Sequence, residues 1–261
     1  AGAIVATAIG NTRIYNCGIL PTSAERDDKG NITGFYGSSV SGTRYVGGLV
    51  GFLDGTSRVI NCYSYANVSG GSHVGGIVGY NNVATTATNL KTMVMNCMFY
   101  GEVSGSSIAP IYNGAIITNV GENTGVSNYN YFRLESSYIQ NTAITKVYNC
   151  ALGAETRFLQ RFEFYRHVLN SHREQAAWWA TGSMDNKDEM MKWVLEPAQI
   201  SSSAPFPILK APGYYPSVVN IDAENAPTTT ERNKGGKLGT LSVTIQSGSG
   251  EYFNAPSGAS I

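Results

Sequence analysis

The stretch Val46-Gly47-Gly48-Leu49-Val50-Gly51 returns 28 residues later as Val74-Gly75-Gly76-Ile77-Val78-Gly79. After each copy comes a short run in which a long side chain, a β-branched one and a bulky one precede Asn-Cys. This run occurs four times, as Arg13-Ile14-Tyr15-Asn16-Cys17, Arg58-Val59-Ile60-Asn61-Cys62, Met93-Val94-Met95-Asn96-Cys97 and Lys146-Val147-Tyr148-Asn149-Cys150. Repetition of this length is typical of chains that stack one supersecondary unit on the next.

Further blocks keep the same order along the chain. The run Tyr65-Ala66-Asn67-Val68-Ser69-Gly70 matches Tyr100-Gly101-Glu102-Val103-Ser104-Gly105. Weaker copies are the Gly blocks at Val5 to Gly10 and Asn113 to Ile117, and the degenerate run Gly125-Val126-Ser127-Asn128-Tyr129, which has Tyr129 in the Cys place. Three blocks that recur in one order predict about five turns of stacked β-structure.

The spacing inside the Asn-Cys run predicts a corner. Val59 and Cys62 are three residues apart, so a straight strand could not bury both side chains. Asn tolerates the left-handed backbone that a bend between them requires, and its amide can bond to the Asn of the neighbouring repeat. The run therefore predicts two inward columns: Ile14, Val59, Val94 and Val147 in one, and Cys17, Cys62 and Cys97 in the other. The paired glycines predict a second corner, where a Cβ atom would clash.

The four cysteines allow two interpretations. An even number of cysteines in an exported protein usually indicates disulfides. Here every Cys holds the same repeat position, which favours an inward column of free thiols. The spacing between stacked strands also lies slightly beyond the range of a bridge. No Cys-x-x-Cys occurs, so no zinc site is predicted.

The quartets Gly48-Leu49-Val50-Gly51 and Gly76-Ile77-Val78-Gly79, each followed by an Asn-Cys run, resemble the GLUG motif repeats of bacterial cell-surface proteins. The resemblance covers about Val5 to Gly153. It implies a mainly β chain that folds as a right-handed parallel β-helix (solenoid) of about five coils. Such repeats are similar to β-helical adhesins and to segments that accompany some secreted peptidases.

The pattern changes near Ala154. Phe158, Phe162, Tyr165 and Leu169 have the spacing of one apolar helical face. A second helix is predicted through Ala180 and a short third one, capped at Asp185 or Asn186, through Leu195. The predicted domains are a β-solenoid over 1–153, a helical cap with a closing extended segment over 154–218, a linker over 219–237, and the start of a further β domain over 238–261.

The cap is expected to cover the open end of the solenoid or its flank. Its apolar residues Trp178, Trp179, Met190, Trp193 and Val194 need a partner, and the last coil would otherwise leave open strand edges. Phe206 to Leu209 is a candidate returning strand. Two insertions, Pro21 to Ser38 and Asn81 to Lys91, are predicted to be solvated loops, with a binding face as the alternative.

The sequence contains no recognisable catalytic constellation. Between Gly30 and Cys150 the acids are Asp54, Glu102, Glu122 and Glu135, and none pairs with another at repeat spacing, as glycoside hydrolysis would need. Of the histidines, His73 is predicted in a turn or on the surface. His167 with Glu163 has the spacing of a helix pair, and His172 begins no zinc-protease motif. We therefore predict no catalytic, cofactor-binding or metal-binding residue.

Aromatic residues are the remaining candidates for binding. Tyr63, Tyr65, Phe99 and Tyr100 follow the Asn-Cys corner in two repeats, and some are expected to face outward. Outward Tyr rows can stack on sugar rings or peptides. They can equally serve to stabilise neighbouring strands.

The composition narrows the function classes. The formal net charge is zero, which argues against nucleic-acid partners, and no apolar run approaches the ~20 residues of a membrane-spanning helix. We expect a non-catalytic extended surface module, extracellular or on the bacterial cell surface, that serves adhesion or spaces neighbouring domains of a larger multidomain chain. Glycans or host proteins are its candidate partners. The alternatives are a polysaccharide-active β-helix enzyme and an accessory segment of a large secreted peptidase.

Overall fold

The computed structural model describes residues 1–82, 93–105, 108–109, 112–114, 127–135, 152–173 and 190–210. The chain divides into two compact units, Ala1–Pro212 and Gly213–Ile261, and all described residues belong to the first. The described part is mainly β. The linker and the further β domain predicted over 219–261 lie outside the described residues.

Within the described part, most strands belong to four parallel sheets. Sheet 1 contains Val5–Ala8, Val50–Leu53, Val78–Asn81 and Tyr112–Gly114. Sheet 2 contains Arg13–Tyr15, Arg58–Ile60, Met93–Met95 and Ser127–Asn128. Sheet 3 contains Gly18–Ile19, Tyr63–Ser64, Met98–Phe99, Tyr131–Arg133 and Leu152–Ala154. Sheet 4 contains Ser39–Gly47, Asn67–Gly75, Val103–Gly105 and Ile108–Ala109.

Sequence repeats pair in register. Val46 lies opposite Val74 in sheet 4, and Val50 lies opposite Val78 in sheet 1, as the 28-residue spacing predicts. In sheet 2, Val59 is paired on its two sides with Ile14 and Val94. Each strand of a repeat therefore forms its backbone hydrogen bonds with the equivalent strands of neighbouring repeats.

The two predicted columns are inside the protein. The side chains of Ile14, Val59 and Val94 are buried, as are Cys62 and Cys97, while Cys17 is half-buried at the start of its column. Cys17, Cys62 and Cys97 are free thiols, which confirms that interpretation for these three. Val147 and Cys150 lie outside the described residues.

The Asn corner has the predicted geometry. Asn16, Asn61 and Asn96 have φ values of 54°, 56° and 51°, in the left-handed region. The Asn61 Nδ2 donates to the Asn16 Oδ1 at 2.7 Å, and the Asn96 Nδ2 donates to the Asn61 Oδ1 at 2.9 Å. The three side chains thus form a continuous amide ladder, which we call the Asn ladder.

The alignment of the degenerate run was wrong by one residue. Ser127 pairs with Val94 and Asn128 with Met95, which places Tyr129 opposite Asn96 rather than in the Cys place. Tyr129 accordingly adopts the left-handed corner, with φ 60°. Asn130 takes the Cys position, buried, with its Oδ1 accepting from the Cys97 N–H and its Nδ2 donating to the Val94 carbonyl, both at 2.9 Å. Hydrogen bonds of its side-chain amide thus satisfy a polar residue buried at this inward position.

The Gly corner is closed by backbone on both sides. A Cβ on Gly48 would lie 2.1 Å from the carbonyl oxygen of Gly76 in the next repeat. No side chain can occupy that space, because the obstacle is backbone held by sheet pairing. The prediction that these glycines mark positions of steric conflict is confirmed.

The insertion over Pro21 to Ser38 is not a loop. It is an antiparallel hairpin of strands Ser23–Arg26 and Ile32–Tyr36. The sequence did not reveal this pairing for two reasons. The tip of the hairpin is charged, and the large buried side chains, Ile32 and Phe35, both lie on the second strand. Most of the other insertion, Asn81 to Lys91, lies outside the described residues.

The described residues after 154 are helical only in part. Their helices are Thr156–Leu159, the π-helix Phe164–Leu169, and the 3₁₀ helices Asn170–His172 and Pro197–Ser201. The predicted third helix is wrong over Lys192–Val194, which is a strand paired antiparallel with Ile208–Lys210. The predicted return of the chain as a strand is confirmed there. Residues 174–189, which include Trp178 and Trp179, lie outside the described part.

The buried helical face also differs from the predicted one. Phe158 and Phe162 are 41% and 39% exposed, and Leu159 and Phe164 are buried instead, while Tyr165 and Leu169 are buried as predicted. A turn at residues 160–161 ends the first helix, so the four-residue spacing does not continue through it.

Candidate binding surfaces

The expected outward Tyr row is covered. Tyr63 is 6% exposed, and Tyr65, Phe99 and Tyr100 are completely buried, so the expectation that some of them face solvent was wrong. Their pattern in the sequence is that of a half-buried strand, and nothing local to it reveals that another part of the chain lies on its outer face.

The covering residues come from the segment after Pro205. The Tyr65 hydroxyl accepts from the Phe206 N–H at 3.0 Å, and the Tyr100 hydroxyl donates to the Pro207 carbonyl at 2.7 Å. The Phe206 ring stacks on Tyr100 with centroids 5.1 Å apart. Burial raises the pKa of the Tyr65 and Tyr100 phenols well above their ordinary value. These hydroxyls therefore act as neutral hydrogen-bonding groups that hold the C-terminal segment.

The hairpin closes the same face from the other side. The Phe35 ring meets the Tyr65 ring edge-on at 4.8 Å, and the Arg26 guanidinium donates to the Ile200 carbonyl at 2.7 Å. The guanidinium of the buried Arg133 lies 5.5 Å from the Phe35 ring, and its Nε donates to the Tyr100 carbonyl at 3.0 Å. Sheet 3 thus has a covered outer face, which is not available to a ligand.

An aromatic cluster lies on the opposite part of the repeats, where sheet 4 turns into sheet 1. We call it the corner cluster, and it consists of Tyr45, Phe52, His73 and Tyr80, all half-buried. The Tyr45 ring lies 5.2 Å from Phe52 and 5.0 Å from Tyr80, and Phe52 and Tyr80 are stacked at 5.8 Å. His73 meets Tyr45 at 5.2 Å and Tyr80 at 4.9 Å, both edge-on.

The cluster uses the same two positions in two successive repeats. The pairing of Val46 with Val74 puts Tyr45 opposite His73, and Phe52 is paired directly with Tyr80. Tyr45 and His73 have φ values of 53° and 55°. A left-handed backbone costs a residue other than Gly or Asn about 1–3 kcal/mol. The corner of the Asn ladder has Asn at its left-handed position. Tyr45 and His73 therefore carry a conformational cost that Asn in their places would reduce.

Arg44 adds a positive charge to the corner cluster. Its guanidinium lies 4.4 Å from the centre of the Tyr45 ring, the side chain is exposed, and no carboxylate of the described residues is within salt-bridge distance. Burial and the nearby charge of Arg44 lower the pKa of His73, so this imidazole is neutral at pH 7. The His73 Nδ1 is buried and has no hydrogen-bond partner among the described residues.

His73 was predicted in a turn or on the surface, but it is half-buried within the strand Asn67–Gly75, and the cluster around it was not predicted. The available signal was the 28-residue offset, which aligns Tyr45 with His73 and Phe52 with Tyr80. Their convergence depends on the turn between two sheets, which residue spacing alone does not describe.

The acidic residues lie apart from one another. Asp54 is in the turn after sheet 1, Glu102 precedes the sheet 4 strand Val103–Gly105, and Glu135 follows sheet 3. The Glu135 carboxylate accepts a hydrogen bond from the Thr156 backbone N–H at 2.7 Å. The described residues include no group of three or more His, Cys, Asp or Glu that could hold a metal ion. Glu122 lies outside the described part.

The remaining histidines lie on the segment after sheet 3. His172 stacks face to face on Tyr129 with centroids 3.6 Å apart. Nearby, a shallow cavity of about 460 Å³ is lined by Glu155, Arg157, Phe158 and Arg161 together with Gly153 and Ala154. The Arg157 guanidinium is paired with the Glu155 carboxylate, while Arg161 has no salt bridge among the described residues.

Comparison with known proteins identifies one segment. No curated protein and no solved structure matches the chain. Among the described residues, no helix has the length and apolar character to cross a membrane. Residues 42–69 match the family model described as the GLUG motif. The match begins in the first long strand of sheet 4, includes Arg44, Tyr45 and Phe52, and continues past the Asn61-Cys62 corner. The suspected resemblance is thereby confirmed: this chain contains a GLUG motif at residues 42–69.

Proposed function

We propose that this chain is a non-catalytic extended surface module, built as a right-handed parallel β-solenoid and closed along one flank by its C-terminal segment. The observation that carries the proposal is the Asn ladder with its flanking columns. Asn16, Asn61 and Asn96 each bond to the equivalent residue of a neighbouring repeat, so the most regular motif of the chain serves stacking.

Stacking of this kind suits a spacer or an adhesive rod. Neighbouring strands are about 4.8 Å apart, so each added repeat lengthens the structure by that amount. Repeats contact mainly their neighbours, so such a structure extends in one dimension and presents a long side surface. We infer that the module spaces domains of a larger chain, or holds a binding surface away from a cell, on the bacterial surface or outside the cell.

A polysaccharide-active enzyme is the competing function. Asp54, Glu102 and Glu135 belong to three different turns and sheets, and this separation favours the non-catalytic module over paired-carboxylate hydrolysis. An accessory role beside a secreted peptidase domain is compatible with the same scaffold. It would also be a spacing role.

Three measurements on the full chain test the proposal. Far-ultraviolet circular dichroism should show a mainly β chain, and a helix-dominated spectrum would contradict the solenoid. Incubation with a panel of polysaccharides should release no new reducing ends, whereas sustained release would establish an enzyme. Antibodies against the chain should label intact cells that produce it, and labelling only after permeabilisation would overturn the surface location.

A further inference from the structure

We propose that the corner cluster, with Arg44, is a binding site for acidic carbohydrate, in which the guanidinium pairs with a sugar carboxylate and the aromatic rings pack against the sugar ring. The inference rests on the proposed function as a surface module and names the ligand class of one site on it. It comes from three independent features of residues 44–80.

The first feature is backbone strain at an exposed corner. Tyr45 and His73 hold left-handed backbone at equivalent places in two repeats. Strain of this kind persists where the surrounding structure enforces it, and it is concentrated at functional sites. Asn at the same positions would relieve part of the strain, as it does at Asn61. Tyr129 has the same backbone, with φ 60°, outside the cluster. What distinguishes Tyr45 and His73 is that their strained positions bring two rings together, with centroids 5.2 Å apart.

The second feature is ring surface at the protein boundary. Each of the four aromatic rings has its centroid within 6 Å of at least two others, and all four are half-buried, unlike the Tyr row of sheet 3, which is enclosed. Rings with one apolar body and one wet edge are suited to ligands that are partly apolar and partly hydrated. The C–H faces of a sugar have that character.

The third feature is charge. Arg44 is an exposed cation with no carboxylate partner among the described residues, and it lies directly over the Tyr45 ring. A planar guanidinium matches a carboxylate with two parallel hydrogen bonds. The neutral His73 adds no second positive charge, and its hydrogen bonding is incomplete at Nδ1. One cation beside a set of rings fits a sugar that carries a carboxylate, and a uronic acid is the simplest probe of that class.

The test is calorimetric titration of the full chain with a uronic-acid oligosaccharide and with its methyl ester, which keeps the ring faces and removes the charge. We expect saturable binding of the acid, and binding of the ester that is at least about tenfold weaker, because an ionised hydrogen bond contributes about 1.5–3 kcal/mol. Arg44→Gln should weaken binding of the acid by a similar factor and leave the ester unchanged.

The rings are tested by Tyr45→Asn and His73→Asn, which keep a residue that accepts left-handed backbone. Each should weaken both ligands by about tenfold with a small change in Tm. Tyr129→Asn is the matched control, because it makes the same change at another left-handed corner, φ 60°, outside the cluster. It should not affect binding.

Several results would overturn the assignment. They are no binding of either ligand, equal binding of acid and ester, or binding that Arg44→Gln and Tyr45→Asn leave intact. Should Tyr45→Asn fail to fold, the exposed Arg44→Gln variant still decides the matter. None of these outcomes bears on the β content measured by circular dichroism or on the surface labelling, so the module and the binding site fail separately.

Discussion

The indole Nε1 of Trp193 donates a hydrogen bond of 2.8 Å to the Oδ1 of Asn61. This bond joins the C-terminal segment to the centre of the Asn ladder, 132 residues earlier in the chain. Asn61 Oδ1 also accepts from Asn96, while its Nδ2 donates to the Asn16 Oδ1 and to the Met191 carbonyl at 3.0 Å. Each of the two amide atoms of Asn61 therefore makes one hydrogen bond to a neighbouring repeat and one to the C-terminal segment.

Asn61→Gly should destabilise the protein by about 2–4 kcal/mol in urea unfolding. Glycine keeps the left-handed corner at no steric cost, so the loss reports the side-chain hydrogen bonds and the buried donors left without partners. Trp193→Phe keeps most of the apolar burial and removes one donor, so about 1–2 kcal/mol is expected. The double variant should cost less than the sum of the two, because both remove the same bond. Strict additivity would contradict the coupling.

The thiols should be free and unreactive in the folded protein. Cys62 and Cys97 are buried, and their thiols contact the Ile60 and Met95 carbonyls at 3.2 and 3.3 Å. We expect a thiol reagent to detect four cysteines in denaturant. In the native protein it should react with the two buried thiols only as fast as the protein unfolds. Reducing agent should leave Tm unchanged. A count of two or none in denaturant would show disulfides.

Stability should fall as the pH rises above about 9. Burial holds the pKa of the Cys62 thiol well above its ordinary value of 9.0, so the unfolded chain releases this proton first. The unfolded state then binds fewer protons, and the free energy of unfolding falls by up to about 1.4 kcal/mol per pH unit for one such group. Tyr65 and Tyr100 add to the fall above pH 10, their ordinary value.

The control for this pH dependence is Cys62→Ala. It should reduce the slope between pH 9 and 10 without abolishing it, because the pKa of the Cys17 thiol is also raised, and it should leave the steeper part above pH 10. Equal slopes for the variant and the parent in the lower window would exclude Cys62 as a cause.

Gly48→Ala should be among the most damaging small substitutions in the chain. The added Cβ would lie 2.1 Å from the Gly76 carbonyl oxygen, so two repeats must separate or the corner must distort, and we expect a loss of more than about 3 kcal/mol or failure to fold. Gly10→Ala is the control, with φ 70° and open space around the new methyl group. It should cost only about 1 kcal/mol. Similar losses for both would mean that close backbone approach does not matter at Gly48.

Deleting the C-terminal flank should expose the covered face of sheet 3. Residues 190–210 include Trp193 and Phe206, each fully buried, and complete burial of such side chains is worth about 2–3 kcal/mol apiece. Deletion of this range from the full chain should cause aggregation, measured by light scattering, and lower Tm. A variant that stays soluble, monomeric and as heat-stable as the parent would show that the flank does not stabilise the repeats.

A milder variant separates the two effects of this flank. Tyr100→Phe removes the hydroxyl that donates to Pro207 at 2.7 Å and keeps the ring. It should cost about 1 kcal/mol and leave the protein monomeric.

The sequence by itself determined the repeat, its register and its inward columns. Val46 with Val74 and Val59 with Val94 pair as their motif positions require, because identical positions in successive repeats meet identical surroundings. It also determined the left-handed corner at Asn61, since few residues other than Asn and Gly accept that backbone. One copy was misaligned by one residue, because Tyr129 stands at the Asn position and Asn130 at the Cys position, so the Asn128-Tyr129 pair that resembles the motif lies one residue early.

The tertiary structure alone decided which aromatic residues reach solvent. Tyr65 and Tyr45 belong to the same repeat, yet Tyr65 is sealed beneath Phe206 and Tyr45 stays at the boundary with Arg44 over its ring. It also made Lys192–Val194 a strand, because pairing with Ile208–Lys210 outweighs helical spacing. Both outcomes depend on contacts between residues far apart in the chain, and local periodicity contains no information about which distant segment will cover a given face.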